Sequence, residues 1–281
     1  MLEEVNLKKS LSKSAYQKAM PELQERLRTL QYAAKAANVT TIVCLEAWDA
    51  AGKGRVVRKL TQKLDPRLFQ VHAGTPPTPL ERRYHFLHRY QLVLPNYGDM
   101  AVFEHGWYCQ ILRDRFDSII KKPEWLIACQ QINEFERWLA DDRQLILKFW
   151  LHISKKKQKQ RFKKYLADPD EAWRVTKDYR RQHRNYEKWL PAVDEMLTRT
   201  ETTYAPWTVV EANDQRWALV RIFEVLAQRV EQELDKRSQQ KASDQAAETN
   251  DKVQKTTPKK RTSKRSQVNG RQREQAEVAS A

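Results

Sequence analysis

The chain has 281 residues, with 52 Lys and Arg against 36 Asp and Glu, a formal net charge of +16 and a sequence pI near 9.7. That length buries a real core in one domain of about 230 residues plus an extension, and no apolar run reaches the roughly 18 residues of a membrane span. A charge this positive points to acidic partners: nucleic acid, anionic lipid or a polyanionic substrate. Met1-Leu2-Glu3-Glu4 is acidic where a secretory leader is basic. Cys44, Cys109 and Cys129 are odd in number and sit in apolar or helical surroundings. They read as reduced core thiols, which suits the cytoplasm.

Residues 1–37 are predicted helical, with Leu23, Leu27, Leu30 and Ala34 at helical spacing. Thr41 to Ala47 is a β-branched, apolar run, the pattern of a buried strand. It runs into Trp48-Asp49-Ala50-Ala51-Gly52-Lys53-Gly54 and then a helical segment from Arg55. Strand, small-residue loop with a lysine, helix is the layout of a phosphate-binding loop. The backbone of Ala50, Ala51, Gly52, Gly54 and Arg55 would face an anion, and Lys53 would add a full charge. The standard pattern asks for glycine at 47 and a hydroxyl at 54, where this chain has Ala47 and Gly54. Losing the hydroxyl removes a usual Mg²⁺ ligand, and Asp49 is a carboxylate placed to replace it. An ordinary strand–turn–helix with a surface lysine is the competing reading.

A second strand is predicted after Leu64-Asp65-Pro66-Arg67, and Thr75 to Pro79 is a stiff loop. Residues 80–94 read as one basic, aromatic helix. Met100 to Phe103 is a third strand ending in Glu104, where a Walker B acid stands beside a phosphate loop and holds Mg²⁺. A fourth strand spans residues 144–153, and Ser154 is the predicted N-cap of the next helix. That helix, Lys155 to Leu166, carries six lysines and Arg161 with no acid. Phe162, Tyr165 and Leu166 would pack, and Lys157, Arg161 and Lys164 would form a cationic stripe opposite. Trp173 to Leu190 reads as a further helix, with Arg174 and Lys177 among its cations. Residues 155–190 together look like a basic lid over an anion. A fifth strand is predicted over residues 206–212 and a closing helix over 216–234. Residues 236–281 hold 12 Lys and Arg, 5 Asp and Glu and no aromatic residue, a composition expected to be disordered.

Taken in order, these blocks resemble the family-2 polyphosphate kinases over residues 10–230. The resemblance rests on Glu46 to Gly54, Leu64-Asp65-Pro66-Arg67, Gly106-Trp107-Tyr108, Lys148 to Ser154, Gln160-Arg161-Phe162-Lys163, Asp168-Pro169, Trp173 and Tyr204 to Val210 with Ala212-Asn213-Asp214. It implies an α/β P-loop kinase fold, three layers deep, with a central parallel sheet and a helical lid in residues 1–235. It also implies Mg²⁺-dependent phosphoryl transfer between inorganic polyphosphate and a nucleoside mono- or diphosphate. On this reading Asp49 and Glu104 hold Mg²⁺, Lys53 binds the transferring group, and Arg161 neutralises charge in transit. His105 falls at a phosphate-contacting position, and Lys157, Lys164, Arg174 and Lys177 track the polyphosphate chain. A homo-oligomer, weak nucleic-acid contact through the tail and no membrane partner complete the expectation.

Departures from the family pattern are local. Glu104-His105-Gly106 stands where the family has Asp-Arg-Ser, and His105 is mostly neutral at pH 7. This drift is similar to that in the degenerate half of fused, two-domain members that use AMP. A non-catalytic polyphosphate or nucleic-acid binder is therefore a competing expectation, and a P-loop kinase for a smaller substrate is a third. AMP, ADP and guanine nucleotides all remain open as acceptors.

Overall fold

A strand whose seven residues are all buried must be covered on both faces, and Thr41–Ala47 (β1) is such a strand. In the computed structural model, which describes residues 1–256, two compact units divide the chain at Met1–Ser238 and Gln239–Ala281. The first holds a five-stranded sheet. A 3₁₀ turn at Leu2–Glu4 opens the chain, and the helix expected over residues 1–37 forms only as α1 (Lys13–Ala36); then come β1, α2 (Lys53–Thr61), β2 (Phe69–Ala73), the single-turn α3 (His88–Gln91) and β3 (Met100–Glu104). It continues through α4 (Trp107–Phe116), α5 (Lys122–Asp141) and β4 (Leu145–His152) to α6 (Lys155–Leu166), α7 (Lys177–Arg184) and α8 (Tyr186–Arg199). β5 (Trp207–Glu211) and α9 (Gln215–Thr256) close it.

The strand order is β2-β3-β1-β4-β5 and every pairing is parallel. Parallel neighbours need crossovers, which the helices on both faces supply. Leu45 stands level with Glu104 and with Phe149, so the ends of β1, β3 and β4 open together. β1 lies between β3 and β4, where the chain's crossings diverge to either side. That end of an open α/β sheet is where its crevice forms. β2 is an edge strand, half exposed, which explains its polar Gln70 and His72.

Beneath the sheet the core holds a buried ion pair. Lys148 on β4 donates to Glu136 Oε2 on α5 at 2.8 Å, to Tyr108 Oη on α4 at 3.0 Å and to the Thr200 carbonyl at 2.6 Å.

Three further expectations are corrected. Residues 80–94 do not form one helix: Glu81–Arg83 is a 3₁₀ turn, Tyr84 is extended, and α3 is one turn. His85 Nδ1 accepts the Leu87 N–H at 3.3 Å, a side-chain capture of a backbone donor that competes with helix propagation. Residues 173–190 are likewise split into a 3₁₀ turn, α7 and α8. The Thr176 side chain takes the Tyr179 N–H at 3.2 Å and starts a new helix there. Finally, α9 runs on through residues 236–256, so that stretch is helical. The Ala, Gln, Lys and Glu of this stretch are good helix formers. Residues 257–281, the rest of the expected disordered tail, lie outside the described residues.

Candidate active site

The loop leaving β1 is anchored by its first residue. Trp48 is fully buried, stacks on Tyr186 of α8 with ring centroids 4.3 Å apart, and donates Nε1–H to His152 Nδ1 at 2.9 Å. Ala50 has φ 62° and Gly52 φ 120°, so the turn passes twice through the left-handed region. Glycine suits the second; alanine at the first costs about 1 kcal/mol. The tightness leaves donors over. Among the described residues, the N–H groups of Gly52, Lys53 and Gly54 meet no acceptor, while those of Arg55 and Val56 close on the Gly52 carbonyl. Unsatisfied N–H groups at the start of a nine-residue helix form an anion cradle.

Lys53 is the first residue of α2 and is nearly buried, yet Nζ has no hydrogen-bond or ion-pair partner among the described residues. It opens on a cavity of about 970 Å³. Eight Lys and Arg side chains line this cavity against four carboxylates. Two of those acids are already bound: Asp214 by Arg216 at 3.2 Å and Glu171 by Arg174 at 2.7 Å. Glu104, at the end of β3, lines the cavity with a carboxylate that has no partner among the described residues.

Of the residues predicted for this site, Ala50, Gly52, Lys53, Gly54, Arg55 and Glu104 line the cavity from the sheet side. Lys157, Arg161, Lys164 and Arg174 line it from the lid. Ala51 is buried and Lys177 is exposed at the start of α7, and neither lines it. Asp49 and His105 face a second, smaller cavity of about 30 Å³ behind the loop, with Glu46, Cys109 and Arg113. Burial raises the Asp49 carboxyl to about 6, against the pull of Lys53 and Arg113. Burial first, then those same two cations, hold His105 neutral, far below the usual imidazole range. His105 is thus not the exposed phosphate contact the sequence suggested: its residue turns left-handed (φ 58°) and its ring goes inward.

Arg161 is also displaced from its predicted setting. Nη1 donates to the carbonyls of Ala50 (2.8 Å) and Ala51 (2.7 Å), and Nη2 to those of Ala212 (2.6 Å) and Asn213 (3.2 Å). The packed face of α6 is Gln158, Arg161 and Phe162, while Leu166 is exposed. Sequence reasoning missed Gln158 and Gln182. Gln158 Nε2 donates to the Asp49 carbonyl at 3.1 Å, and Gln182 Oε1 accepts the Asp49 N–H at 2.8 Å. Gln158 also bonds Gln182 and His183, so the lid helices grip the loop by its backbone. Its position three residues before Arg161 was the available signal. Arg58 and Arg216, further cavity cations, were missed as well.

A parallel sheet in this order, with a glycine loop at the end of its first strand and a helical lid, defines the P-loop kinase fold. Within that class the chain belongs to the Polyphosphate kinase 2 (PPK2) family, whose sequence model matches residues 10–239. It is 32% identical over 231 residues to the polyphosphate:AMP phosphotransferase of Pseudomonas aeruginosa, covering 82% of this chain and 47% of that protein. It is 30% identical over 220 residues to NDP-polyphosphate phosphotransferase 1 of Ruegeria pomeroyi, covering 78% of this chain and 72% of that one. Among solved structures, the polyphosphate kinase 2 of Arthrobacter aurescens superposes with a TM-score of 0.79 at 27% identity, over 82% of this chain and 84% of that one. The chain therefore spans about half the length of the AMP-named relative and most of the other two.

Proposed function

We propose that this chain transfers a phosphoryl group between inorganic polyphosphate and a nucleoside mono- or diphosphate, with Mg²⁺ as cofactor. The observation that carries the reading is Lys53: a nearly buried ammonium without a protein partner, beside free backbone donors, at the floor of a cationic cavity. Relatives named for polyphosphate transfer to AMP and to nucleoside diphosphates support the substrate class.

The residues divide the work. The N–H groups of Gly52, Lys53 and Gly54 fix the phosphate oxygens, and Lys53 neutralises the group in transfer. Lys157, Lys164 and Arg174 line the lid side, where a polyanion longer than one nucleotide would lie. Arg161 acts one step back, by holding the loop in shape. Glu104 fits Mg²⁺ on chemistry and access: it is a free oxygen donor facing the cavity, and hard cations take oxygen ligands. Asp49 offers a second carboxylate from the smaller cavity. When bound, Mg²⁺ neutralises charge on the phosphate oxygens. The rest is positioning, with little covalent work for the protein.

The test is direct. The protein is incubated with polyphosphate, Mg²⁺ and AMP, ADP, GMP or GDP in turn, and the phosphorylated product is sought. Lys53→Ala should lower the rate by on the order of 10²–10³, the cost of deleting one such donor, with the protein still folded because Nζ makes no hydrogen bond or ion pair among the described residues. Near wild-type turnover in that variant, or polyphosphate binding without transfer to any acceptor, would overturn the reading.

A further inference from the structure

Behind the phosphate loop, three elements aim metal-binding atoms at one point. Glu46 comes from the end of β1, His105 from the turn after β3, and Cys109 from the first turn of α4. Their ligand atoms all lie within 4.8 Å of one another. His105 Nδ1 and Cys109 Sγ are 3.2 Å apart. All three residues line the cavity of about 30 Å³, and none of them lines the large one. From this geometry we propose that Glu46, His105 and Cys109 form a second metal site, for a borderline-soft divalent ion of the Zn²⁺ class.

The donor set chooses the metal. One carboxylate oxygen, one imidazole nitrogen and one sulfur suit Zn²⁺, whereas Mg²⁺ takes oxygen ligands and keeps several waters. The cavity exceeds the roughly 10–15 Å³ that one small particle needs. Three protein ligands leave a fourth tetrahedral position open, as in sites that keep a water or an incoming donor.

The surroundings orient the ligands. Glu46 Oε1 accepts the Gly106 N–H at 2.8 Å, which fixes the orientation of the carboxylate. The His105 backbone is pinned from behind by Gly74: a Cβ there would lie 1.7 Å from the His105 carbonyl oxygen. The neutral imidazole keeps a lone pair to give. Lys53 and Arg113 act against a cation here. Coordination answers that repulsion, because the Cys109 thiol releases its proton to solvent on binding. Ion, carboxylate and thiolate then sum to zero charge beside the two cations. Bound metal would tie β1, the β3–α4 turn and α4 together beneath the loop that carries Lys53.

The test does not depend on phosphoryl transfer, so its failure and that of the proposed function are separable. Full-length protein, stripped with chelator, is titrated with Co²⁺ and then with competing Zn²⁺. The expected result is a thiolate-to-Co²⁺ charge-transfer band that Zn²⁺ abolishes. Cys109→Ser and His105→Gln, checked for folding by circular dichroism, should lose the band, and Cys129→Ser should keep it. Zn²⁺ should also protect Cys109 of the wild-type protein from alkylation, read by peptide mass spectrometry, a measurement that needs no variant. Absence of the band in folded wild-type protein, its survival in folded Cys109→Ser, or unprotected Cys109 would each overturn the proposal.

Discussion

A guanidinium that meets four carbonyls has its charge engaged before any substrate arrives, and Arg161 is in that position. Burial lowers its pKa to about 10, which still leaves it cationic at pH 7. Arg161→Ala would strand buried acceptors at roughly 1–3 kcal/mol each. Urea unfolding should therefore show a loss of several kcal/mol, with slowed transfer as the consequence of a misshapen loop. Full stability together with a slowed rate would instead return Arg161 to direct contact with the phosphates. Glu46 allows a second prediction. Burial raises its carboxyl from 4.5 to about 7, outweighing Lys53 and the Gly106 and Cys109 N–H groups. Between those pH values the folded state binds more protons than the unfolded one, so this group's contribution to stability falls as pH rises. The total is about 3 kcal/mol at 1.36 kcal/mol per unit. In chelated buffer, Glu46→Gln should gain stability relative to wild type as pH climbs through that window. A difference curve flat with pH would mean Glu46 titrates near its ordinary value.

At the scale of elements, all five strands and the long helices could be read from the sequence, because burial on both faces or on one stripe writes directly into residue order. Thr41–Ala47 and Leu145–His152 are covered on both sides and read as nearly continuous apolar runs. The breaks within residues 80–94 and 173–190 were not legible. They depend on single side chains, His85 and Thr176, taking backbone donors, and a helical pattern of cations and aromatics does not reveal that. The loop's place between β1 and α2 could be read; the inward turn of His105 and the burial of Arg161 could not, since both depend on what the lid packs against. Lys148 was another sign in plain view, a lone cation in an apolar strand. It bonds Glu136 on α5, Tyr108 on α4 and the carbonyl that follows α8. Lys148→Met would leave Glu136 as a buried, uncompensated charge, at a cost of about 3–5 kcal/mol. Adding Glu136→Gln should restore much of that loss, measured as a coupling energy in a double-mutant cycle. Additive losses in the double variant would show that the two charges do not depend on one another.

Over the whole molecule, part of the net charge of +16 sits in the cavity lining and part in the C-terminal stretch. Eight cations line the cavity and belong to the site, whereas residues 239–281 carry ten Lys and Arg against five Asp and Glu, with no aromatic residue. Where the chain is cut decides whether this second group can be tested cleanly. Arg237 donates to the Asn38 carbonyl at 2.8 Å and bonds the Arg143 carbonyl, so a cut at 236 would remove two ties to the folded unit. A cut after Ser238 follows the boundary between the two units. Truncation there should leave melting and maximal rate nearly unchanged, and should weaken binding to long polyphosphate or nucleic acid at low salt. The cause is lost counterion release: log affinity falls by up to about 0.9 per phosphate contact per log unit of salt on duplex DNA, and less on single strands. Screening over a Debye length of roughly 8 Å at physiological ionic strength should bring the two proteins together as salt rises. The measurement is polyanion affinity of full-length and truncated protein across a salt series. The full-length line should be the steeper, meeting the other at high salt. Coincident lines would place all polyanion binding in residues 1–238 and leave the C-terminal charge without a role in it.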